Sequence, residues 1–297
     1  MNKVLKTAFT LIELLVVIAI IGILSGLIVV TMNGVTAKAN IAKSQVFSNS
    51  LRNALMLNLV SEWKFDGSGV LDGGDATTLY TQDTWGTNHG SSITGTLKVY
   101  SGNNCVTGSC LYFDGSSYIS GGSNLIPSQP FYTIEGWVKI PSNTTDNSNR
   151  YLINLINSAD APGFSPCFWT SYKPLIYLNS SNYKYGASDL RDDKWHHVVF
   201  VVIGSAMADV ANSRIYVDGK LEAAGSVSNS NSPVLPTGNF RMGMYYTGYI
   251  DGMRVYREIM PASRIKDQYY AGLNQLLRSG AISGSEYLDR INNSAKI

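Results

Sequence analysis

Few side chains in this 297-residue sequence have the type and setting for chemistry, and one of them sits where none is expected. Glu13 lies near the front of an apolar run from Leu11 to Met32, within FTLIELLVVIAIIGIL. A carboxylate at the centre of a bilayer costs about 2.5 kcal/mol or more on insertion scales. Hydrophobicity alone makes an anchor, so Glu13 calls for a positive partner. Elsewhere the acid–base inventory is thin. Glycosidic hydrolysis needs two carboxylates facing each other across a sugar. Glu135 stands alone in TIEGW, and Asp192-Asp193 fall in a turn before Trp195. The histidines are His89, His196 and His197, and the adjacent pair in KWHHVVFVV would face opposite sides of a strand. That placement predicts packed, hydrogen-bonded histidines rather than a catalytic base.

Two other kinds of site are conceivable. Calcium takes roughly six to eight oxygen ligands, and the oxygen-rich positions are Asp66 (WKFDG), Asp83 and Asn88 (QDTWGTNHG) and Asp251 (YIDGM). The same residues could instead close glycine-rich turns through side-chain hydrogen bonds to the backbone. A saccharide needs an aromatic platform with polar neighbours, and Trp169, Tyr172, Tyr177, Tyr183 and Tyr185 cluster in CFWTSYKPLIYLNSSNYKYG. Alternation along a strand sends some of these rings into the core. Of the three cysteines, Cys105 and Cys110 bracket VTGS, a spacing that a tight turn brings within disulfide reach. In an exported, turn-rich chain that spacing reads as a bridge. Cys167 then reads as a small buried apolar residue.

Composition narrows the class. Charged residues make up 15% of the chain, against an ordinary ~25%, while glycine and tyrosine are abundant. Turn formers mixed with strand formers point to an all-β extracellular body. Net charge is +2, and removing residues 1–8 with Lys3 and Lys6 would leave 21 basic against 21 acidic residues. No basic patch for nucleic acid is present in the pattern.

The elements that must position these residues fall into four parts. Residues 1–8 are short, polar and basic, and 9–32 are apolar for long enough to span a bilayer as a helix. The positive leader keeps the N-terminus cytoplasmic. The run is longer than a signal-peptide core and has no A-x-A site behind it. Residues 33–60 continue as an amphipathic helix, with Phe47, Leu51, Leu55 and Leu59 on one face. From 61 to 259 short alternating runs are separated by turn signals, and Asp218-Gly219 marks a two-residue hairpin. Such a pattern predicts an antiparallel sandwich of jelly-roll type. Helical periodicity returns over 260–297. Ile265, Tyr269, Leu273 and Leu276 or Leu277 share a face, Pro261 suits the first turn, Gly280 stops the helix, and Ser283 with Glu286 caps a second short helix through Ile291. The tail therefore reads as a helical hairpin packed on the sandwich or on the N-terminal helix.

KTA-FTLIELLVVIAIIGIL resembles the class III signal of type IV pilins and type II secretion pseudopilins. The resemblance implies cleavage by a prepilin peptidase between Ala8 and Phe9, with alanine where that family usually has glycine, and N-methylation of Phe9. It also gives Glu13 a cation, because the new amine of Phe9 can meet Glu13 of a neighbouring subunit and set the register of a filament. The blocks SEWKFDGSG, TWGTNHG, LYFDGSSYI, FYTIEGWVK, KWHHVVFVV, RIYVDGKL and GYIDGMRVYREIMPASRI, in that order, resemble the laminin G-like, concanavalin A-like jelly-roll family. That resemblance implies recognition of carbohydrate or protein. In many relatives it also implies a calcium ion where the first and last strands meet. Hydrolases of that fold carry E-x-D-x-x-E on one strand, and no such run occurs here, so the chain reads as non-enzymatic.

Together these readings describe a pilin-like subunit that is first inserted in the cytoplasmic membrane with its body outside. It then joins copies of itself and other pilins in an extracellular filament, displaying a lectin-like domain to a glycan or cell-surface ligand. A pseudopilin of a type II secretion or DNA-uptake machine is the alternative, and a membrane-tethered glycan hydrolase is a third.

Overall fold

The computed structural model describes residues 11–23, 58–123, 125–126, 131–145, 149–156, 165–169, 171–179, 182–204, 208–223, 225, 227–229 and 238–295. Ala8, Phe9 and most of the amphipathic stretch 33–60 lie outside the described residues. The chain divides into two units, 1–50 and 51–297. In the first, residues 11–23 form helix α1, exposed along its whole length. A helix apolar on every side has no stripe with which to choose a globular neighbour. Thirteen residues at ~1.5 Å each reach only ~20 Å, and no helix among the described residues is long and apolar enough to cross a membrane.

The second unit is a β-sandwich. Its large sheet runs β14 (Lys220–Leu221), β13 (Ala208–Val217), β12 (Trp195–Gly204), β6 (Tyr132–Lys139), β17 (Thr247–Tyr256), β4 (Ser109–Asp114) and β3 (Lys98–Ser101), with β1 (Leu59–Trp63) also pairing to β17. All of these pairings are antiparallel. Two smaller sheets face it. One runs β15 (Val227–Asn229), β11 (Asn182–Tyr185), β10 (Pro174–Asn179), β9 (Ser165–Phe168) and β7 (Arg150–Tyr151). The other runs β2 (Gly90–Thr94), β5 (Tyr118–Ser123), β16 (Asn239–Met242) and β8 (Ile153–Leu155). They meet along 150–156, where Leu152 N–H donates to Pro166 and Gly243 N–H donates to Leu152.

Between the layers lies a core to which both contribute: Ile134, Val138, Val198, Phe200, Ile215 and Val255 from the large sheet, and Ile119, Ile153, Phe168, Ile176, Phe240 and Met242 from the smaller ones. Alternation explains which residues enter it. Along β12, Val198, Phe200 and Val202 face the core, while Val199 and Val201 face outward to a second apolar cluster with Ile265. The hairpin between β13 and β14 turns at Asp218 (φ 51°) and Gly219 (φ 75°), pairing Val217 with Lys220. Two consecutive left-handed residues give the tight turn that matches strand twist.

The outward face of the large sheet is roofed by α2 (Ala262–Ser279) and α3 (Gly284–Ala295). Ile265, Tyr269, Leu273 and Leu276 are buried, and Trp137 of β6 stacks on Tyr269 with ring centroids 5.9 Å apart. Gly280 ends α2 in the left-handed region, its N–H donating to Leu276 and Leu277. Ser283 Oγ then accepts from Glu286 N–H at 3.1 Å, the cap that starts α3. The helix continues past Ile291 to Ala295 because its last turn is held, with Ser294 Oγ 2.9 Å from the Tyr270 hydroxyl. The Cys105–Cys110 disulfide lies in the same outer cluster as Trp137, Trp195 and Leu273, and Cys167 is a free, buried cysteine.

Gly272 is where α2 comes closest to the sheet, since a Cβ there would strike the Trp137 indole. We expect Gly272→Val to lower stability by about 2 kcal/mol through overpacking. The control is Gly284→Ala, whose Cβ meets nothing within 4 Å. A urea midpoint for Gly272→Val equal to that of the control would show that this contact does not set the seat of α2.

Candidate functional site

The acid–base candidates are structural. Glu135 of β6 points outward under α2, buried with His197 of β12, whose Nε2 lies 3.5 Å from Glu135 Oε2. Arg254 of β17 donates through Nη1 to Glu135 Oε1 at 3.2 Å and through Nε to Glu62 Oε1 at 2.8 Å. The Tyr256 hydroxyl donates to Glu135 Oε1 at 2.8 Å. Burial alone would raise the Glu135 pKa, but the hydrogen bond and charge of His197, with Arg254 and Tyr256, hold it below the usual carboxylate range. His196 faces the other way, its two nitrogens 2.8 Å from Asp218 Oδ2 and 3.0 Å from Asp192 Oδ1.

The oxygen-rich positions separate into two groups. Asp83 Oδ1 accepts from the N–H groups of Glu62, Trp85 and Gly86 at 2.8–3.0 Å, and Oδ2 accepts from Asn88 N–H. Asn88 Nδ2 donates to Ser61 Oγ at 2.7 Å. These two residues fasten the 83–88 turn to β1, as side-chain-closed turns do. Asp66 and Asp251 instead converge on the disulfide loop. Ser109 N–H donates to Asp66 Oδ1 (2.8 Å), and the N–H groups of Val106 and Thr107 donate to Asp251 Oδ2 (2.8 and 2.9 Å). Burial outweighs those two bonds and pushes the Asp251 pKa up to about 8. Among the described residues no three or more His, Cys, Asp or Glu side chains are grouped to hold a metal ion.

The aromatic candidates also divide. Tyr177, Tyr183 and Tyr185 lie half-buried on the outer face of the smaller sheet, around Tyr151, Cys167 and Leu175. Strand register builds this face, because Tyr177 pairs with Tyr183, and Leu175 with both Tyr185 and Cys167. The Tyr183 and Tyr185 rings stack at 6.1 Å and 6°. Trp169 is 43% exposed at the end of β9. Tyr172 is fully buried in the core with the Arg150 guanidinium 4.0 Å above its ring, so it is not part of the aromatic face. Tyr172 lies in the turn between β9 and β10 with a left-handed backbone (φ 48°). Tyr151, Met244 and the exposed Tyr245 join this region from distant segments that their local sequence does not mark.

The family model of the concanavalin A-like lectin/glucanases superfamily matches residues 113–266. The chain belongs to that superfamily. The model of the prokaryotic N-terminal methylation motif matches residues 5–29, so this superfamily member carries a pilin signal ahead of its sandwich. That motif implies processing by a prepilin peptidase and assembly from the membrane into a filament. No curated protein matches the chain. Among solved structures it is similar to domain 4 of AbnA, an extracellular GH43 arabinanase of Geobacillus stearothermophilus in complex with arabinotriose. That match has 18% identity and a TM-score of 0.51, covering 70% of this chain and 97% of that one. It is also similar to the binding domain of Paraclostridial Mosquitocidal Protein 1, at 13% identity and TM-score 0.53, covering 74% of this chain and 53% of that one. A third is the receptor-binding domain of botulinum neurotoxin C/D mosaic serotype, at 13% identity and TM-score 0.51, covering 73% of this chain and 52% of that one. The chain thus spans about half of the two toxin domains. At these identities the likeness establishes the superfamily's sandwich.

The His196 clamp makes a pH prediction. Burial alone would lower the His196 pKa, but Asp218 and Asp192 outweigh it and raise it to about 9. The unfolded side chain titrates near ~6.5. The pairing therefore contributes fully below about pH 6.5 and is lost as pH rises through about 9, a change on the order of 2–3 kcal/mol. Denaturation at pH 6 and pH 10 should show this loss in the native chain. In His196→Gln the loss should shrink by that amount, and an unchanged difference would rule the clamp out.

Proposed function

We propose that this chain is a structural, ligand-displaying subunit of a type IV pilus-type surface filament. The supporting observation is the joining of a methylation motif at 5–29 to a concanavalin A-like sandwich at 113–266 in one polypeptide. In this reading a prepilin peptidase cuts between Ala8 and Phe9 and methylates the new amine. That amine then neutralises Glu13 of an adjacent subunit, where an unpaired carboxylate in hydrocarbon would be costly. The sandwich is carried outside the cell as a recognition domain. A saccharide is the first ligand class to test, because one structural relative is in complex with arabinotriose and two others are binding domains.

The reading is non-enzymatic. Glu135 and His197, the most deeply buried acid–base pair, are 1% exposed each beneath α2 and tied into ion pairs, and His196 is clamped between Asp218 and Asp192. A substrate would have to displace the helix to reach Glu135 or His197. The oxygen-rich positions expected for calcium fall in two places, with Asp83 and Asn88 at one turn and Asp66 and Asp251 at a different loop.

Glu13→Ala tests the assembly step. The variant should insert in the membrane and be processed at Ala8, yet disappear from sheared surface filaments. Normal filament incorporation would refute the pairing. Antibody to the sandwich, applied to native filaments, should label them along their length for a major subunit or at one end for a tip subunit. Filaments without label would overturn the surface-display reading in favour of a pseudopilin.

A further inference from the structure

A groove of about 570 Å³ opens where β11 crosses the edge formed by β13 and β14. It lies within the size range of small-ligand sites, ~300–1,000 Å³. Lys184, Tyr185, Arg214, Leu221 and Glu222 are among the residues that line it. We infer that this groove binds the acidic group of an anionic saccharide, with Arg214 as its charge partner. The inference rests on the glycan-display reading above and gives that reading a site and a substrate class.

Two cations are held close together here. Lys184 is anchored, its Nζ donating to the carbonyls of Ala211 (2.9 Å) and Ser213 (2.7 Å). Burial first, and then the charge of Arg214, lower its pKa. Arg214 is exposed, and among the described residues no carboxylate pairs with its guanidinium. A planar guanidinium fork matches a carboxylate or sulfate in two parallel hydrogen bonds.

The neighbouring acids are already engaged. Glu222 Oε2 accepts from the N–H groups of Ala187 and Ser188 at 2.8 and 2.9 Å, and its Oε1 accepts from the Ser188 hydroxyl. Asp209, the other charge that acts on Lys184, accepts from the Asn212 backbone at 3.1 Å and its side-chain amide at 2.6 Å. The open hydrogen-bonding capacity of the groove is therefore cationic.

The tyrosines of β11 alternate with Lys184 and lie on the outer face of their sheet. Tyr185 is braced by its stack on Tyr183. A Cβ at residue 225 would come within 2.8 Å of the Tyr185 ring, so Gly225 lets the chain lie against it. Leu221, 60% exposed, forms an apolar lip. An apolar lip in the same groove as an exposed guanidinium suits a sugar, whose C–H face packs on the lip while its acidic group meets the cation.

Calorimetric titration of the full chain in detergent micelles tests the site, using trigalacturonate, its methyl ester and a sulfated disaccharide. Trigalacturonate or the sulfated sugar should bind, the methyl ester should bind at least tenfold more weakly, and added salt should weaken binding. Arg214→Gln should cost tenfold or more, and Arg214→Lys should restore part of the loss. Leu71→Ala, at an exposed position outside the groove, should leave affinity unchanged, and an unaltered circular dichroism spectrum shows that each variant folds. The two acidic probes tell carboxylate from sulfate as the recognised group. Binding that is indifferent to esterification or to Arg214→Gln would overturn the groove assignment while leaving glycan display intact. Failure of every saccharide, neutral or acidic, to bind would overturn both.

Discussion

Two carboxylates, Glu62 and Glu135, are almost excluded from water on the outer face of the large sheet, and Arg254 supplies the cation both of them need. Three strands meet in that pairing, since Glu62 lies on β1, Glu135 on β6 and Arg254 on β17. His197 brings in β12, and Tyr256 links the cluster to Gln268 of α2 at 3.2 Å. A buried ion pair adds little net stability over an apolar core, but loss of one partner leaves a charge in low dielectric. The network therefore specifies an arrangement more than it strengthens one. Only the register that aligns β1, β6 and β17 satisfies all three charges. The roof of α2 and α3 follows from the same constraint, because the network needs a dry setting to hold its geometry. Trp137, two residues from Glu135, and Tyr269 on the helix provide that cover.

The roof also decides where recognition can take place. With the outer face of the large sheet closed and its inner face in the core, binding surface remains on the smaller sheets and at the sandwich edges. The half-buried tyrosines of β10 and β11 and the groove beside Arg214 lie there. Structure thus separates the strongly coupled charges, which hold the fold, from the accessible ones, which can meet a ligand.

Local signals were legible in the sequence wherever short-range geometry decides the outcome. The Asp218-Gly219 turn, the Gly280 stop and the Ser283 cap each follow from a few adjacent residues. So does the opposite orientation of His196 and His197. What depended on distant contacts was not legible. Glu62 and Arg254 are 192 positions apart, and nothing near either residue announces the other. Tyr172 lies in the turn between β9 and β10 and is buried in the core, a placement that its neighbours in sequence do not announce. The oxygen-rich positions were visible as a set, but only the fold shows that they serve two separate loops. Cys105 and Cys110, being five residues apart in a turn-rich chain that reads as exported, could be read as a bridge.

The same physics operates at both ends of the molecule with different consequences. Glu135 and Glu62 find their cation within the chain, so the sandwich satisfies its buried charge by folding, independently of concentration. Glu13 lies in an apolar helix, and the cation proposed for it is the amine of another copy. A charge neutralised only by a neighbour ties the gain to association, and association depends on how many subunits are present. Under the proposed pairing the body is complete before assembly, and the helix would favour the filament over the lone subunit in the membrane. In the proposed filament, the meeting of Glu13 with the Phe9 amine of a neighbouring subunit would make assembly, rather than folding of the sandwich, the step that the N-terminal segment controls.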